Sequence, residues 1–381
     1  METEKLASMV EVFEGLEDWR SAQQTRHVLS ELLTVAVCAV LSGADDFEEV
    51  SQWGRERLDW LRGFLSLDYG VASPDTFERV FAVLDPKGFE RAFRIWVGSV
   101  VPALGRDQVI AIDGKTSRRT TSKAAAAPLH MVSAFAANVG IVLGQTATAA
   151  KSNEITAIPE LLRTLDVEDC IVTIDAMGTQ TAIADQIRAG HGNYVLCVKD
   201  NHPKLLESIL LAHIGIETPL VAVSTSETRS RSHGREEIRR CQAFEAGNRL
   251  YKTEQWRDLH SFAVVERTRT IGDRTTVERR HYITSLPPDA EKIAHAVRSH
   301  WEVENRLHWC LDVQFADDYA RGRTGHVAHN LALVRHMALK LLRLNTSRKA
   351  SIKTKRLLAA TSDLYRAELL GFTTEEDEDD D

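Results

Sequence analysis

The sequence predicts an α/β protein: a mixed sheet with helices on both faces, an all-helical N-terminal domain ahead of it and a β-rich insertion inside it. Three observations carry this. Residues from about 26 to 104 read as helices; beyond Gly105, short β-branched runs alternate with helical ones in the order βββ-α-β-α-β-α; residues from about 219 to 286 are strand-rich, and helical periodicity returns at Ala290. The expected division is a helical domain over 1–105, the first part of the core over 106–215, the β-rich insertion over 216–288, a helical completion of the core over 289–345, and a basic segment with a disordered acidic tail over 346–381.

The elements follow in order. RHVLSELLTVAVCAVLSGA reads as a mostly buried helix, and FEEVSQWGRERLDWLRGFL as an amphipathic one with Phe47, Val50, Trp53, Leu58 and Leu61 near helical spacing. Ser73-Pro74-Asp75 supplies an N-cap, a first-turn proline and an acid for the helix carrying Phe77, Val80 and Phe81, and Pro86 opens the next. QVIAIDGK, HMVSAFAA and IVLGQTATA are three consecutive strands, the last two joined by a tight turn at Asn138-Val139-Gly140. A helix over Ile155 to Leu165, the strand CIVTIDAM, a helix from Thr179 to Arg188, the strand YVLCVKD and a helix from Pro203 to His213 complete the alternation. Ile271-Gly272-Asp273 marks a hairpin within the insertion.

Composition bounds the function. The net charge of -8 is concentrated in the seven acids from Glu375 to Asp381, and without them the chain is near neutral, with local basic clusters compatible with a nucleic-acid partner. That tail reads as a solvated end or, alternatively, as a DNA mimic folding back on the basic stretch Arg343 to Arg356. Five scattered cysteines without a CxxC pair argue against a disulfide framework or a zinc site. With no apolar run of about 18 residues and no basic-then-apolar leader, no membrane association and a cytoplasmic location are expected.

Chemistry concentrates on acids. An ionised carboxylate ending an apolar strand is costly unless it is paired or binds a metal. VIAIDGK and IVTIDAM each place one there, so Asp113 and Asp175 can converge at the rim of one sheet, where sites of such folds tend to lie. A third acid is Glu304 in HWEVENRLHW, between His300 one turn earlier and His308 one turn later; Asp312, Asp317 and Asp318 compete with it. An all-oxygen set of this kind suits Mg²⁺. Trp301 and Trp309 fit either core positions or a base-stacking platform.

The blocks IDGK, IDAMGTQ, NYVLCVKDNH, SHGREEIR and HWEVENRLHWCLDVQFADDYARGR resemble those of DDE transposases of H-repeat-associated, ISAs-type insertion sequences, over residues from about 10 to 345. The resemblance implies a ribonuclease-H-like core in which Asp113, Asp175 and Glu304 are the catalytic residues and hold two Mg²⁺ ions, with Mn²⁺ able to substitute. It further implies an Mg²⁺-dependent enzyme that hydrolyses element ends to a free 3′-hydroxyl and then transfers that strand to target DNA. Its partners would be double-stranded DNA, both terminal inverted repeats and target, and a homodimer or higher oligomer on that DNA. Candidate DNA contacts are Lys115, Arg118, Arg119, Lys199, Asn201, His233, Arg235, Arg298, His300, Trp301, Asn305 and His308, with Lys123, Arg229, Arg231, Arg239 and Arg240 as further basic residues nearby. The family usually reads KGNQ where this chain has Lys199-Asp200-Asn201-His202, and an acidic pair beginning with Glu where it has Asp317-Asp318. Two other readings compete: a catalytically inactive or domesticated DNA-binding descendant, and a metal-independent hydrolase using paired carboxylates as acid and base.

Overall fold

A computed structural model describes residues 4–20, 25–100, 104–117, 120, 128–148, 154–214, 221–232, 234–319 and 322–371. Arg118, Arg119, Lys123, His233 and the acidic run therefore lie outside the described residues.

Six helices come first: α1 (Glu4–Glu14), α2 (Leu29–Leu41), α3 (Phe47–Glu56), α4 (Leu58–Leu61), α5 (Pro74–Val83) and α6 (Pro86–Val100). The Ser73 hydroxyl caps α5 by accepting from the Thr76 N–H, as the Ser-Pro-Asp signal requires. The single amphipathic helix expected after Phe47 is broken at Arg57 into α3 and α4. The sequence reading assigned α1 no element, yet its Met9 and Phe13 are buried in the core.

The sheet has nine strands: β1 (Val109–Ser117), β2 (Leu129–Ala136), β3 (Ile141–Ala147), β4 (Ile171–Ile174), β5 (Asn193–Val198), β6 (Ser224–Ser232), β7 (Arg235–Glu245), β8 (Ser261–Ile271) and β9 (Arg274–Thr284), in the spatial order β3-β2-β1-β4-β5-β9-β8-β7-β6. Strands β1, β4 and β5 are parallel, connected through α7 (Glu154–Leu162) and α8 (Thr181–Ala189), whereas β2 and β3 continue antiparallel on one side. The strand-rich stretch after α9 (Pro203–Ile214) extends the same sheet, because β9 pairs antiparallel with β5 along Val195↔Thr284 to Val198↔His281. A turn at Gly272, with φ 55°, and one at Gly140, with φ 74°, close the two expected hairpins; positive φ is where glycine is free of the Cβ penalty.

Strand alternation divides the core in two. Val109 and Ala111 face one cluster, shared with the N-terminal helices; Ile110 and Ile112 face the other, beneath α7 and α8. After β9 the chain forms α10 (Ala290–His300), a π-helical segment (Val303–His308), α11 (Trp309–Gln314) and α12 (Val327–Leu344). Helix α12 is buried almost throughout and packs on α2, α5, α6 and β3, so it welds the helical domain to the sheet.

The region after Leu344 departs from expectation. Residues 352–370 form α13 (Ile352–Thr361) and α14 (Asp363–Leu370), which pack on α2, α11 and α12. Three of the six cations of the expected basic segment point inward: Arg343 donates to the Gly140 and Arg306 carbonyls, Lys355 to those of Leu342 and Asn345, and Arg356 to those of Val40, Ala44 and Gln314. Lys355 and Arg356 thereby cap the C-terminal ends of α12, α2 and α11, and Arg343 ties the Gly140 turn to the π-helical segment, roles that composition does not reveal. All five cysteines are free and buried, and no helix among the described residues is long and apolar enough to cross a membrane.

Candidate active site

Register sets the two aspartates side by side. Ile112 pairs with Ile174 in the parallel β1–β4 ladder, so the residues that follow them, Asp113 and Asp175, stand level on adjacent strands; Asp175 lies just past the end of β4, whereas Asp113, expected at a strand end, lies within β1, which runs on to Ser117 against β2. Alternation turns both to the face of Ala111 and Thr173, which α10 crosses. Asp113, Asp175 and Glu304 line one cleft of about 160 Å³, together with Lys199, Arg280, Tyr282, His300 and Trp301.

Each acid is set by its neighbours. The Asp113 side chain is 17% exposed, and burial pushes its carboxyl up to about 7; the Gly114 N–H opposes this, while Glu154, Asp175 and Glu304 add to it. A Cβ on Gly114 would overlap the side chains of Glu154 and His130, which are joined at 2.8 Å, so the Asp-Gly pair is a packing requirement. Asp175 Oδ1 accepts from the N–H groups of Met177 (3.0 Å) and Gly178 (3.4 Å), and a side chain on Gly178 would strike Ile174 and Ile158. Asn201 and His202 brace that turn through the Ala176 and Thr179 carbonyls, so the Asn201 amide is engaged with backbone.

Glu304 is exposed and sits on the π-helical segment, a widening of the helix that is common at functional sites. Its flanking histidines dock the helix on the two aspartate strands. His300 Nδ1 lies 3.0 Å from the Thr173 hydroxyl, two residues before Asp175, and His308 Nδ1 lies 3.7 Å from Asp113 Oδ2. Burial pushes both imidazoles down to about 4, so both are neutral at pH 7 and the His308–Asp113 contact is not an ion pair. The structure gives both residues a part in orienting the helix, and His300 also lines the cleft.

Lys115 also differs from the sequence reading. Its ammonium is 11% exposed and pairs with Asp312 (2.7 Å), Asp317 (2.8 Å) and Asp318 (3.6 Å), away from the cleft. Asp317 accepts in addition from Ser117 and from Arg335, whose guanidinium reaches the Asp45 carbonyl in the helical domain. This buried network joins β1, the end of the Glu304 helix, α12 and the α2–α3 loop. The competitors Asp312, Asp317 and Asp318 are thereby accounted for.

Lys199 does line the cleft, as expected of a phosphate contact. Arg280 and Tyr282, which sequence reasoning missed, line it from β9; the signal available was their alternation in ERRHYI, but only sheet pairing brings β9 beside β5. Arg280 covers the Trp301 ring at 4.1 Å. Arg298, Trp301 and Asn305 line an adjoining groove of about 370 Å³, and the Asn305 amide donates to the Trp301 carbonyl. Arg235 lies farther out on β7, beside Glu237. Trp309 is 58% exposed and Trp301 half-buried, so neither is core.

The donor set is oxygen-only, and Asp113 is a buried carboxyl facing other carboxylates without a cation, which fits a hard divalent ion. Among the described residues no three His, Cys, Asp or Glu side chains already form a closed ligand cluster.

A ribonuclease-H-like mixed sheet with an acid-lined cleft where its central parallel strands part is the architecture of DDE transposases. Comparison with known proteins agrees: residues 104–341 match the family described as Transposase DDE domain, and residues 10–97 match the DDE_Tnp_1-associated family. The chain belongs to the DDE transposases, within their H-repeat-associated group. It is 37% identical to YncI of Escherichia coli O157:H7, provisionally named a transposase, over 97% of this chain and 96% of that protein. It is 35% identical to the H repeat-associated YhhI of Escherichia coli strain K12, also provisionally named a transposase, over 97% of this chain and 98% of that one. A solved sugar N-methyltransferase, KedS8 from Streptoalloteichus, aligns over 34% of this chain and 46% of its own at 15% identity and a TM-score of 0.16, too weak a likeness to bear on fold or function.

Proposed function

We propose that this chain cleaves DNA at the ends of its own insertion element and joins the freed 3′-hydroxyls to target DNA, with Asp113, Asp175 and Glu304 holding two Mg²⁺ ions. The observation that carries the reading is the level placement of Asp113 and Asp175 beside Glu304 in one cleft of a chain belonging to this family. When bound, the ions supply activation of the attacking water or 3′-hydroxyl and stabilisation of the leaving oxygen. The protein supplies position and charge. Three carboxylates from three elements fix the reacting centre, the turn at Met177–Gly178 holds Asp175, and neutral His300 and His308 set the helix that presents Glu304. Lys199 and Arg280 bring positive charge to the cleft wall, where a phosphodiester gains electrostatically. The remaining expected DNA contacts that line the adjoining groove, Arg298, Trp301 and Asn305, would hold the strand next to it. Two protomers on paired ends complete the proposal.

The test is cleavage of a duplex carrying the inverted repeats that flank the gene. Strand cutting that requires Mg²⁺ or Mn²⁺ and vanishes in Asp113→Ala, Asp175→Ala and Glu304→Ala supports the reading. Cleavage at full rate in chelator would transfer it to the metal-independent hydrolase, and binding without cleavage to the inactive descendant.

A further inference from the structure

Strands β6 to β9 leave the body of the sheet as an arm whose far ends are solvent-exposed on both sides. The ladders Thr228↔Arg239, Arg239↔Arg267 and Arg267↔Glu278 place those residues in one row on one face, and their neighbours at i±1 on the other. Followed strand by strand, the pleat sorts the charges. One face carries Arg235, Arg239, Arg267, Arg269, Arg274 and Arg280 against Glu237, Glu278 and, at the base of the arm, Glu245. The reverse face carries Arg229, Arg231, Arg240 and Arg279 against Glu227, Glu236 and Glu266, and is near balance.

The arginine-rich face also presents a row of hydroxyls from Ser226, Thr228, Ser230 and Ser232, groups that donate well to phosphate oxygens. It is the face of the active site: Cys197 pairs with Tyr282, and Tyr282 with Ala263, all on the side of the sheet where Asp113 and Asp175 stand. Between it and α10 runs the groove of about 370 Å³, which shares Arg280, Tyr282 and Trp301 with the carboxylate cleft. Buried Glu237 gathers Arg235, Arg239 and Arg267 into a fixed cluster. Arg269 and Arg274, farther out, enter no ion pair among the described residues, and Arg269 Nε is buried without a hydrogen-bond partner.

We propose that this one face of the β6–β9 arm, and not its reverse, is the docking track for the sugar–phosphate backbone of double-stranded DNA leading into the carboxylate cleft. The inference rests on the proposed function for its destination and on the pleat for its sidedness. It removes Arg229 and Arg231 from the expected DNA contacts and adds Arg267, Arg269 and Arg274.

The experiment uses the full chain, chelator to prevent cutting, and a fluorescent duplex of about 30 base pairs followed by anisotropy across a salt series. The variant Arg269→Ser/Arg274→Ser removes two charges from the track, and Arg231→Ser/Arg279→Ser removes two from the reverse face. Arg231, Arg274 and Arg279 are exposed and Arg269 is half-buried, and circular dichroism melting checks that both variants fold. The track variant is expected to bind about tenfold or more weakly, with a log–log salt slope shallower by ~1.8, the value for two phosphate contacts. The reverse-face variant is expected to stay within about twofold with its slope unchanged. Equal losses in both would make this a net-charge effect and overturn the proposal, as would a larger loss on the reverse face or no duplex binding by the wild type. A single strand that binds as tightly as duplex with the same track dependence would overturn the duplex assignment. Wild type that binds with this sidedness yet never cuts in Mg²⁺ would sink the catalytic reading alone.

Discussion

Two acidic clusters lie along β1, two residues apart, and they behave in opposite ways. Asp113 faces Glu154, Asp175 and Glu304 and pairs with no Lys or Arg among the described residues, and burial leaves its carboxyl raised to about 7. Asp317 is more deeply buried, at 6% side-chain exposure, yet Arg335 and Lys115 overcome that burial and hold it down at about 2. Burial is common to both, so it is the partner that decides the sign. The matched cluster joins β1 to the Glu304 helix and to α12; the unmatched one is where the proposed metal ions would sit.

The largest effect that sharpens this contrast is on chemistry. Asp113→Asn is expected to reduce metal-dependent cleavage below detection while leaving the fold intact, measured as product formation alongside a thermal melt. Without metal it is expected to stabilise the protein above pH 7. The folded carboxyl titrates above its unfolded value, so its contribution is present at low pH and is lost as pH rises through about 7. Wild-type cutting by this variant would place the site elsewhere.

Asp317→Asn is expected to do the reverse, lowering stability by about 3–5 kcal/mol because Lys115 and Arg335 are left buried without their carboxylate. Denaturant melts at pH 7 measure it, and a change within 0.5 kcal/mol would show that the network is not structural. His300→Ala comes next: loss of its contact with Thr173 is expected to weaken metal-supported cleavage about 10- to 100-fold, as for other residues that orient metal-holding groups. Mn²⁺ titration by electron paramagnetic resonance gives a reading independent of turnover, and unchanged Mn²⁺ affinity would count against an orienting role.

Acid gives a smaller effect. Asp317 is depressed in the folded state, so the stability it confers is complete above about 4 and is lost as pH falls through about 2, on the order of 2 kcal/mol. Comparing wild type with Asp317→Asn in urea melts over that range isolates it; parallel curves would contradict the assignment. Smallest of all, Trp309→Ser is expected to change stability by less than about 0.5 kcal/mol, because the ring is exposed.

Much of the site was legible because strand alternation and strand ends are local. Asp113 and Asp175 could be read from two apolar runs that each stop at an acid, and Glu304 from its place between two histidines. The role of those histidines was not legible: at helical spacing they form a polar stripe, and only the packing of α10 on β4 and β1 shows one braced on Thr173 and the other beside Asp113. Lys115 carries the same limit. Next to a strand-end acid it resembles a phosphate ligand, and what claims it is an acidic trio about 200 positions downstream.

By itself the sequence determined the order of elements from α5 to α9, the two hairpin turns, the α5 cap and which three acids are candidates for the site, since each follows from short-range periodicity, backbone φ or the cost of a charge beside an apolar run. Tertiary structure alone decided which cations are free. Arg335, Arg343, Lys355 and Arg356 are as basic in the sequence as Arg269 and Arg274, but the first four meet carbonyls or carboxylates inside the fold and, among the described residues, the last two do not. It also decided that β6–β9 continue the sheet that carries Asp113 and share its faces, because hydrogen bonding between β5 and β9 joins residues 83 to 89 positions apart, beyond the reach of any local pattern.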